Sequence, residues 1–268
     1  MIKRQLTDDK LRRDLQNQKQ QHEENIEHLR VRFASPSAIS GNIGSGKTTL
    51  CKYIEEVLEQ SMVIYERFEE NEHLARFYDH LKQNGINYNP YSYPTQLKFL
   101  QSRMRQENEI FGDQTPVQQG IRRFVVDRSI FEDSSVFAKS QFKAGLMNEH
   151  EYSNYRSFFE KNLDKLRLPE LVIYLKLDIR KLHQRIQKRG REMEKDLSEE
   201  YLKNLQNLYE DFIQEMKLKG VKILEIDTET RDDYPKVIEA INSLSTFEET
   251  GSNKQEISPK SEISAKSN

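Results

Sequence analysis

Residues Ser37 to Leu50 constrain the fold of this chain more than any other stretch: a short apolar run, a glycine-rich turn and a helix-like segment follow one another without a break. Gly41, Gly46, Lys47 and Thr48 fill every fixed position of the pattern G-x-x-x-x-G-K-[ST], with Asn42, Ile43, Gly44 and Ser45 between the two glycines. In such a loop the glycines let successive backbone N–H groups turn inward on a polyphosphate. Lys47 is then the residue that reaches the terminal phosphates, and Thr48 offers a hydroxyl to a magnesium ion. The helix that continues through Thr49 turns its positive dipole end on the same anion. The motif needs a strand before it and a helix after it, so it already asks for an α/β architecture.

The rest of the chain supplies matching elements. Leu50, Ile54, Val57 and Leu58 recur at helical spacing and are expected to face a sheet. Met62 to Tyr65 reads as a second strand that delivers Glu66 at its end, and Phe124 to Val126 as a third that runs into Asp127-Arg128-Ser129. Leu171 to Leu175 and Val221 to Ile226 make the fourth and fifth. Pro94 starts a helix with Leu97, Leu100 and Met104 on its apolar stripe; Gln96 and Arg103 lie on an adjacent face, about 10 Å apart along the axis. Ile179, Leu182 and Ile186 mark another helix, which ends in a basic cluster. Ser198 caps a long helix with Tyr201, Leu205, Leu208 and Phe212 on one stripe, closed by Gly220. A last helix runs from about Tyr234 to Leu244, while Asn84-Gly85 and Pro90 mark loops. Five strands joined by connections long enough to cross over predict a five-stranded parallel sheet with helices on both faces. Such sheets bind ligands at the C-terminal ends of their strands, where Glu66, Asp127 and Arg128 fall.

Charged residues make up 32% of the 268 and the apolar set 35%, which is lean for a globular chain. The two ends account for it. Residues 1–33 mix charges with glutamine and carry apolar residues only at wide intervals, so a helical or disordered arm is expected there. Residues 246–268, with Ser258-Pro259, form a Ser/Lys/Glu tail expected to be disordered. Residues 34–245 remain as one domain. A net charge of −2 gives no reason to expect nucleic acid or an anionic membrane as partner, and no apolar run approaches the ~20 residues of a membrane span. The arm lacks the apolar stretch of a secretory signal, and its acidic residues disfavour a transit peptide. One cysteine, Cys51, excludes an intramolecular disulfide and suits a reducing compartment, the cytoplasm ahead of the mitochondrion. The six histidines show no paired metal-ligand spacing.

Gly41 to Thr48, Glu66, Asp127-Arg128-Ser129 and Arg185, Arg189 and Arg191 ahead of the long helix together resemble the deoxynucleoside kinase family, over roughly residues 37 to 230. Asp127 through Asp133, and Arg189-Gly190-Arg191-Glu192 with Glu194, look like the bacterial deoxyadenosine and deoxyguanosine kinases; Gln96 through Ser102-Arg103-Met104-Arg105 also resembles deoxycytidine and deoxyguanosine kinases. The resemblance implies a P-loop kinase fold with an Arg-rich lid. It implies ATP-dependent phosphorylation of a deoxynucleoside 5′-hydroxyl in nucleotide salvage, with magnesium, by what is usually a homodimer.

Carried over residue by residue, the resemblance makes Glu66 the carboxylate that receives the 5′-hydroxyl proton. Asp127, with Thr48, would hold magnesium through water, and Arg128 would contact the 5′-oxygen and the transferring phosphoryl group. Arg185, Arg189 and Arg191 would be the lid arginines, with Gly190 as a hinge. Gln96 would pair with the base edge, Arg103 and Asp133 would read its exocyclic groups, Tyr78 and Glu194 would bind the sugar 3′-hydroxyl, and Phe131 or Phe137 would stack on the base. The Arg103/Asp133 pair favours deoxyadenosine, deoxyguanosine or deoxycytidine over thymidine. Two positions depart from the family: Arg67 follows Glu66 where proline is usual, and Asn71 stands where an aromatic residue is often found.

Two other readings share the loop. A thymidylate kinase has a similar Asp-Arg element but phosphorylates a phosphate, and the Gln96/Arg103/Asp133 set speaks against it. A kinase-like accessory subunit of respiratory complex I is not catalytic, and the intact Lys47-Thr48, Glu66 and Asp127-Arg128 speak against that.

Overall fold

The structure is a computed structural model and describes residues 35–111 and 119–244. The N-terminal arm and the tail with Ser258-Pro259 lie outside the described residues. Five strands form a single sheet: β1 (Ser37–Gly41), β2 (Ser61–Ile64), β3 (Arg123–Asp127), β4 (Leu171–Lys176) and β5 (Lys222–Asp227). Their order is β2-β3-β1-β4-β5 and every pair is parallel. The apolar runs expected to be strands are strands. β1 sits at the centre with all five residues buried, which is why it reads as a run without polar alternation.

Successive side chains of a strand point to opposite faces, and here each face has its own layer. Ala38, Val172 and Tyr174 point to a core built with Leu205, Tyr209 and Phe212 of α8 (Glu199–Leu218). Ile39, Val125, Ile173 and Leu175 point the other way, to Leu50 and Ile54 of α1 (Lys47–Val57) and Val237 and Ile241 of α9 (Tyr234–Asn242). Burying an aliphatic side chain contributes about 1.5–3 kcal/mol, so these two layers hold the central strands in place. Val57 departs from expectation: it is 48% exposed. It ends α1 where the helix has already turned past the sheet, and Leu58, just beyond, is buried in its stead.

The helix expected at Pro94 is α3 (Ser92–Phe111), which starts two residues earlier. Proline is tolerated there because first-turn N–H groups have no partner within the helix. Three further helical stretches lie outside the elements expected from the sequence. These are α2 (Leu74–Asn84), closed by Gly85, α6 (Glu149–Glu160), and a segment formed by α4 (Ile130–Glu132), a π turn (Asp133–Ala138) and α5 (Lys139–Lys143). α6 is started by a capping box in which Asn148 and Glu151 satisfy each other's backbone N–H. The remaining helix, α7 (Ile179–Arg189), buries Leu182 and Ile186. No described helix is long and apolar enough to cross a membrane.

Candidate active site

The register of the sheet brings the motif residues to one edge. Ile39 of β1 lies opposite Asp127 of β3, and Ile64 of β2 opposite Val126, so Gly41, Asp127 and Glu66 leave the sheet side by side. The glycine-rich loop then turns into α1. Gly41 (φ 150°) and Gly44 (φ 82°) adopt backbone angles that side chains disfavour. A Cβ on Gly41 would lie 2.9 Å from the Leu175 carbonyl oxygen, and one on Gly44 3.0 Å from Ile186 and from the Leu182 carbonyl of α7. Asn42 fastens the loop to α8 by donating from Nδ2 to the Leu202 carbonyl (2.8 Å), and its Oδ1 accepts from the Ile43 N–H (2.8 Å).

Lys47 bends back under the loop, donating from Nζ to the carbonyls of Gly41 and Asn42, both at 2.9 Å. Burial, reinforced by the nearby Arg128 charge, lowers its ammonium to about 7. Thr48 donates to Asp127 Oδ2 at 3.1 Å, while Asp127 Oδ1 is buried without a hydrogen-bond partner. Burial raises the Asp127 carboxyl against the opposing pull of Lys47 and Arg128.

Behind the strand ends lies a network of carboxylates and guanidinium groups. Arg103 of α3 donates from Nη2 to Glu66 Oε1 (2.8 Å), from Nε to Asp133 Oδ2 (2.5 Å), and from Nη1 to the carbonyls of Asp127 (3.2 Å) and Arg128 (3.0 Å). Arg128 follows β3 with a left-handed backbone (φ 68°), an uncommon geometry for a residue with a side chain. Its Nε lies 3.6 Å from Glu66 Oε2, and its guanidinium carbon 4.6 Å from the centre of the Phe137 ring. Glu66 is therefore held by two arginines and keeps a partly exposed carboxylate, 22% accessible. Burial raises the Asp133 carboxyl to about 7, with Arg103 opposing and Glu66 adding to the rise.

These groups open on one cleft of about 1190 Å³, lined by Lys47, Thr48, Glu66, Asp127, Arg128 and Asp133. Of the other residues singled out in the sequence, Ile43, Gly44, Gly46, Thr49, Tyr78, Gln96, Phe137, Arg185, Arg189, Arg191 and Glu194 also line it. Gln96 is buried with its Oε1 unpartnered. Gly41, Asn42 and Ser45 shape the loop from behind, and Arg103 lies behind Glu66 and Asp133, outside the lining. Phe131 is core, packed edge-on against Phe159, which leaves Phe137 as the aromatic of that pair at the cleft. The three lid arginines do not form a single free group. Arg185 donates to the Thr228 carbonyl (2.5 Å), whereas Arg189 and Arg191 (3.2 Å) both pair with Glu194 just past Gly190. Arg191 also lies 3.9 Å over the Phe68 ring.

Comparison with protein families matches residues 38–246 to the family described as Deoxynucleoside kinase. The chain belongs to that family. Among its relatives, the deoxyadenosine kinase of Dictyostelium discoideum is 37% identical over 179 residues, 67% of this chain and 66% of that protein. The deoxyadenosine/deoxycytidine kinase of Bacillus subtilis (strain 168) is 32% identical over 177 residues, 65% of this chain and 75% of its own length. The structure of deoxyadenosine kinase from M. mycoides, solved with the products dCMP and a flexible dCDP bound, covers 78% of this chain and 100% of its own at 25% identity, with a TM-score of 0.63.

Two residues of this deoxynucleoside kinase family chain, one behind the cleft and one in it, were not singled out in the sequence. Glu132 is fully buried against Arg128 and Tyr209. Gln141 of α5 lines the cleft and accepts a hydrogen bond from Ser92 (2.5 Å). The signal for Glu132 was its i, i+4 spacing from Arg128. Gln141 sits in a helical stretch with no apolar period to announce it. The two departures from the family pattern have quiet outcomes. Arg67 points outward to Glu109 (3.3 Å), and Asn71 ties its loop to α3 through the Thr95 carbonyl (3.0 Å).

Proposed function

We propose that this chain transfers the terminal phosphoryl group of ATP to the 5′-hydroxyl of a deoxynucleoside, purine preferred, giving the monophosphate and ADP for nucleotide salvage. The observation that carries this is Glu66: a carboxylate clamped by Arg103 and Arg128, open to the same cleft as Lys47. Phosphoryl transfer through a loose transition state depends on alignment and charge stabilisation more than on early deprotonation. Glu66 accordingly orients the hydroxyl and takes its proton as the new P–O bond forms. Arg128 faces the transferring group, Lys47 exchanges the loop carbonyls for terminal phosphate oxygens, and the loop N–H groups from Asn42 to Thr49 hold the rest of the triphosphate. Arg185, Arg189 and Arg191 close over it as a lid, the latter two leaving Glu194.

The donor set at Thr48 and Asp127 fits magnesium, because the orphaned Oδ1 of buried Asp127 needs a partner and an oxygen site is what this ion takes. Thr48 and Asp127 are the residues of this chain that would hold the ion. When bound it neutralises charge on the phosphate oxygens.

On the acceptor side, the unpartnered Gln96 Oε1 accepts from the base edge, Asp133 faces the exocyclic groups, and Arg103 aims both Glu66 and Asp133 from behind. Tyr78 and Glu194 hold the sugar 3′-hydroxyl, and Phe137 flanks the base. Deoxyadenosine or deoxyguanosine ranks above deoxycytidine, with thymidine last. The proposal extends to a homodimer located in the cytoplasm ahead of the mitochondrion. The test is the purified chain with ATP, magnesium, each of the four deoxynucleosides and thymidylate, read for transferred phosphate. Transfer to a purine deoxynucleoside is expected; transfer to thymidylate alone would favour the nucleotide kinase, and transfer to none would favour the accessory subunit.

A further inference from the structure

One carboxylate in this region serves none of the steps above. Glu132 is 0% exposed and does not line the cleft. Its Oε1 accepts from both Arg128 Nη1 and the Tyr209 hydroxyl, and its Oε2 is buried without a partner. An unpaired buried carboxylate oxygen is costly, and buried ion pairs contribute little to stability beyond what an apolar side chain of that size would give. The explanation for Glu132 therefore has to come from geometry.

That geometry concerns Arg128. Nη1 of Arg128 also donates to the Gly41 carbonyl (3.1 Å), Nε faces Glu66, and Phe137 covers the guanidinium face. Nη2 makes no hydrogen bond among the described residues. Glu132 thus fixes the inner edge of the fork, Nε keeps only its 3.6 Å ion-pair contact with Glu66, and Nη2 is left without a protein acceptor among the described residues. Tyr209 of α8 braces the arrangement: its hydroxyl is shared with Arg128 and Glu132, and its ring meets Phe137 edge-on at 6.3 Å and stacks on Tyr174 at 5.8 Å.

We propose that Glu132 is a positioning residue for phosphoryl transfer. Together with Tyr209 it holds Nη1 of Arg128 inward, so that Nη2 is presented to the transferring phosphoryl group. The proposal rests on the kinase reading of the cleft.

The test compares steady-state kinetics of the full chain with Glu132→Leu, Glu132→Gln, Tyr209→Phe and Arg128→Ala, alone and combined. Leucine matches the volume but removes both acceptors, and should lower kcat by roughly thirtyfold or more, with KM for ATP and for the deoxynucleoside changed less than about threefold. Glutamine keeps one oxygen acceptor and should restore kcat to within about fivefold of the parent. In the Arg128→Ala background Glu132→Leu should change kcat by less than about twofold, since residues acting through one another are not additive. An unchanged kcat for Glu132→Leu, or an equal loss without Arg128, would overturn the proposal. Should the leucine variant fail to fold, Tyr209→Phe removes a single hydroxyl and must still lower kcat, by about threefold or more. A readout free of turnover separates this proposal from the kinase reading. The Arg128 side-chain N–H signals in a 15N spectrum should exchange slowly in the parent and quickly in Glu132→Leu or Tyr209→Phe. An unchanged spectrum refutes the positioning role even if the parent transfers no phosphate.

Discussion

Nη2 of Arg103 lies 2.8 Å from Oε1 of Glu66, and the Nε of the same guanidinium holds Asp133. One buried arginine therefore couples two carboxylates that line the cleft. The family resemblance implies that Arg103 reads the exocyclic groups of the base; in the structure four hydrogen bonds occupy most of its five donors. Arg103→Ala should cost about 3–5 kcal/mol of stability, because it strands the buried Asp133 carboxylate, measured as a shift of the urea midpoint. Arg103→Lys keeps the charge without the fork, and its turnover should fall at least about tenfold; turnover near that of the parent would show that the fork is not needed.

Glu66→Gln should leave ATP affinity unchanged while lowering turnover at least about a hundredfold. Equilibrium titration with ATP alongside single-turnover kinetics separates the two effects. Wild-type turnover in this variant would remove Glu66 from the reaction.

Lys47 carries its charge only up to about pH 7 in the free cleft, where the ordinary lysine value is 10.5. Because its folded value is depressed, stability is lost as pH falls from 10.5 towards 7, the range in which the amine is protonated in the unfolded chain but not in the folded one. A polyphosphate favours the charged amine and raises that value again. ATP binding near pH 8 should therefore take up a proton, and affinity should decline as pH rises above 7. Calorimetry in two buffers of different ionisation enthalpy reports the uptake, which Lys47→Met should abolish.

Asp133 shows the opposite sign. Its carboxyl rises from 3.8 unfolded to about 7 folded, so the stability it lends is complete below pH 3.8 and is lost as pH climbs through 7. The difference in Tm between Asp133→Asn and the parent should move in favour of the variant from pH 4 to pH 7 and then level off. Competition among the four deoxynucleosides should also show a changed ranking for Asp133→Ala; an unchanged ranking would remove Asp133 from base choice.

Thr48→Val removes the hydroxyl that meets Asp127 while preserving the shape of the loop. The magnesium concentration for half-maximal turnover should rise about tenfold or more, with little change at saturating metal.

What the sequence alone determined was local and periodic. The phosphate loop is contiguous, so the G-x-x-x-x-G-K-T run identifies it unaided. Apolar stretches announce the strands, most plainly in β4, where a parallel sheet covered on both faces buries Leu171 to Leu175 without interruption. Glu66, Asp127 and Arg128 were legible because each stands directly after such a run. Tertiary structure decided what depends on side chains distant along the chain. It set Arg103 behind Glu66 and Asp133, buried Phe131 in the core while leaving Phe137 at the cleft, and tied Arg185 to Thr228 but Arg189 and Arg191 to Glu194. It also joined Glu132 to Tyr209, 77 residues apart. Sequence spacing reports which way a side chain leaves its own helix or strand, whereas hydrogen-bond partners and burial depend on which elements the fold packs together.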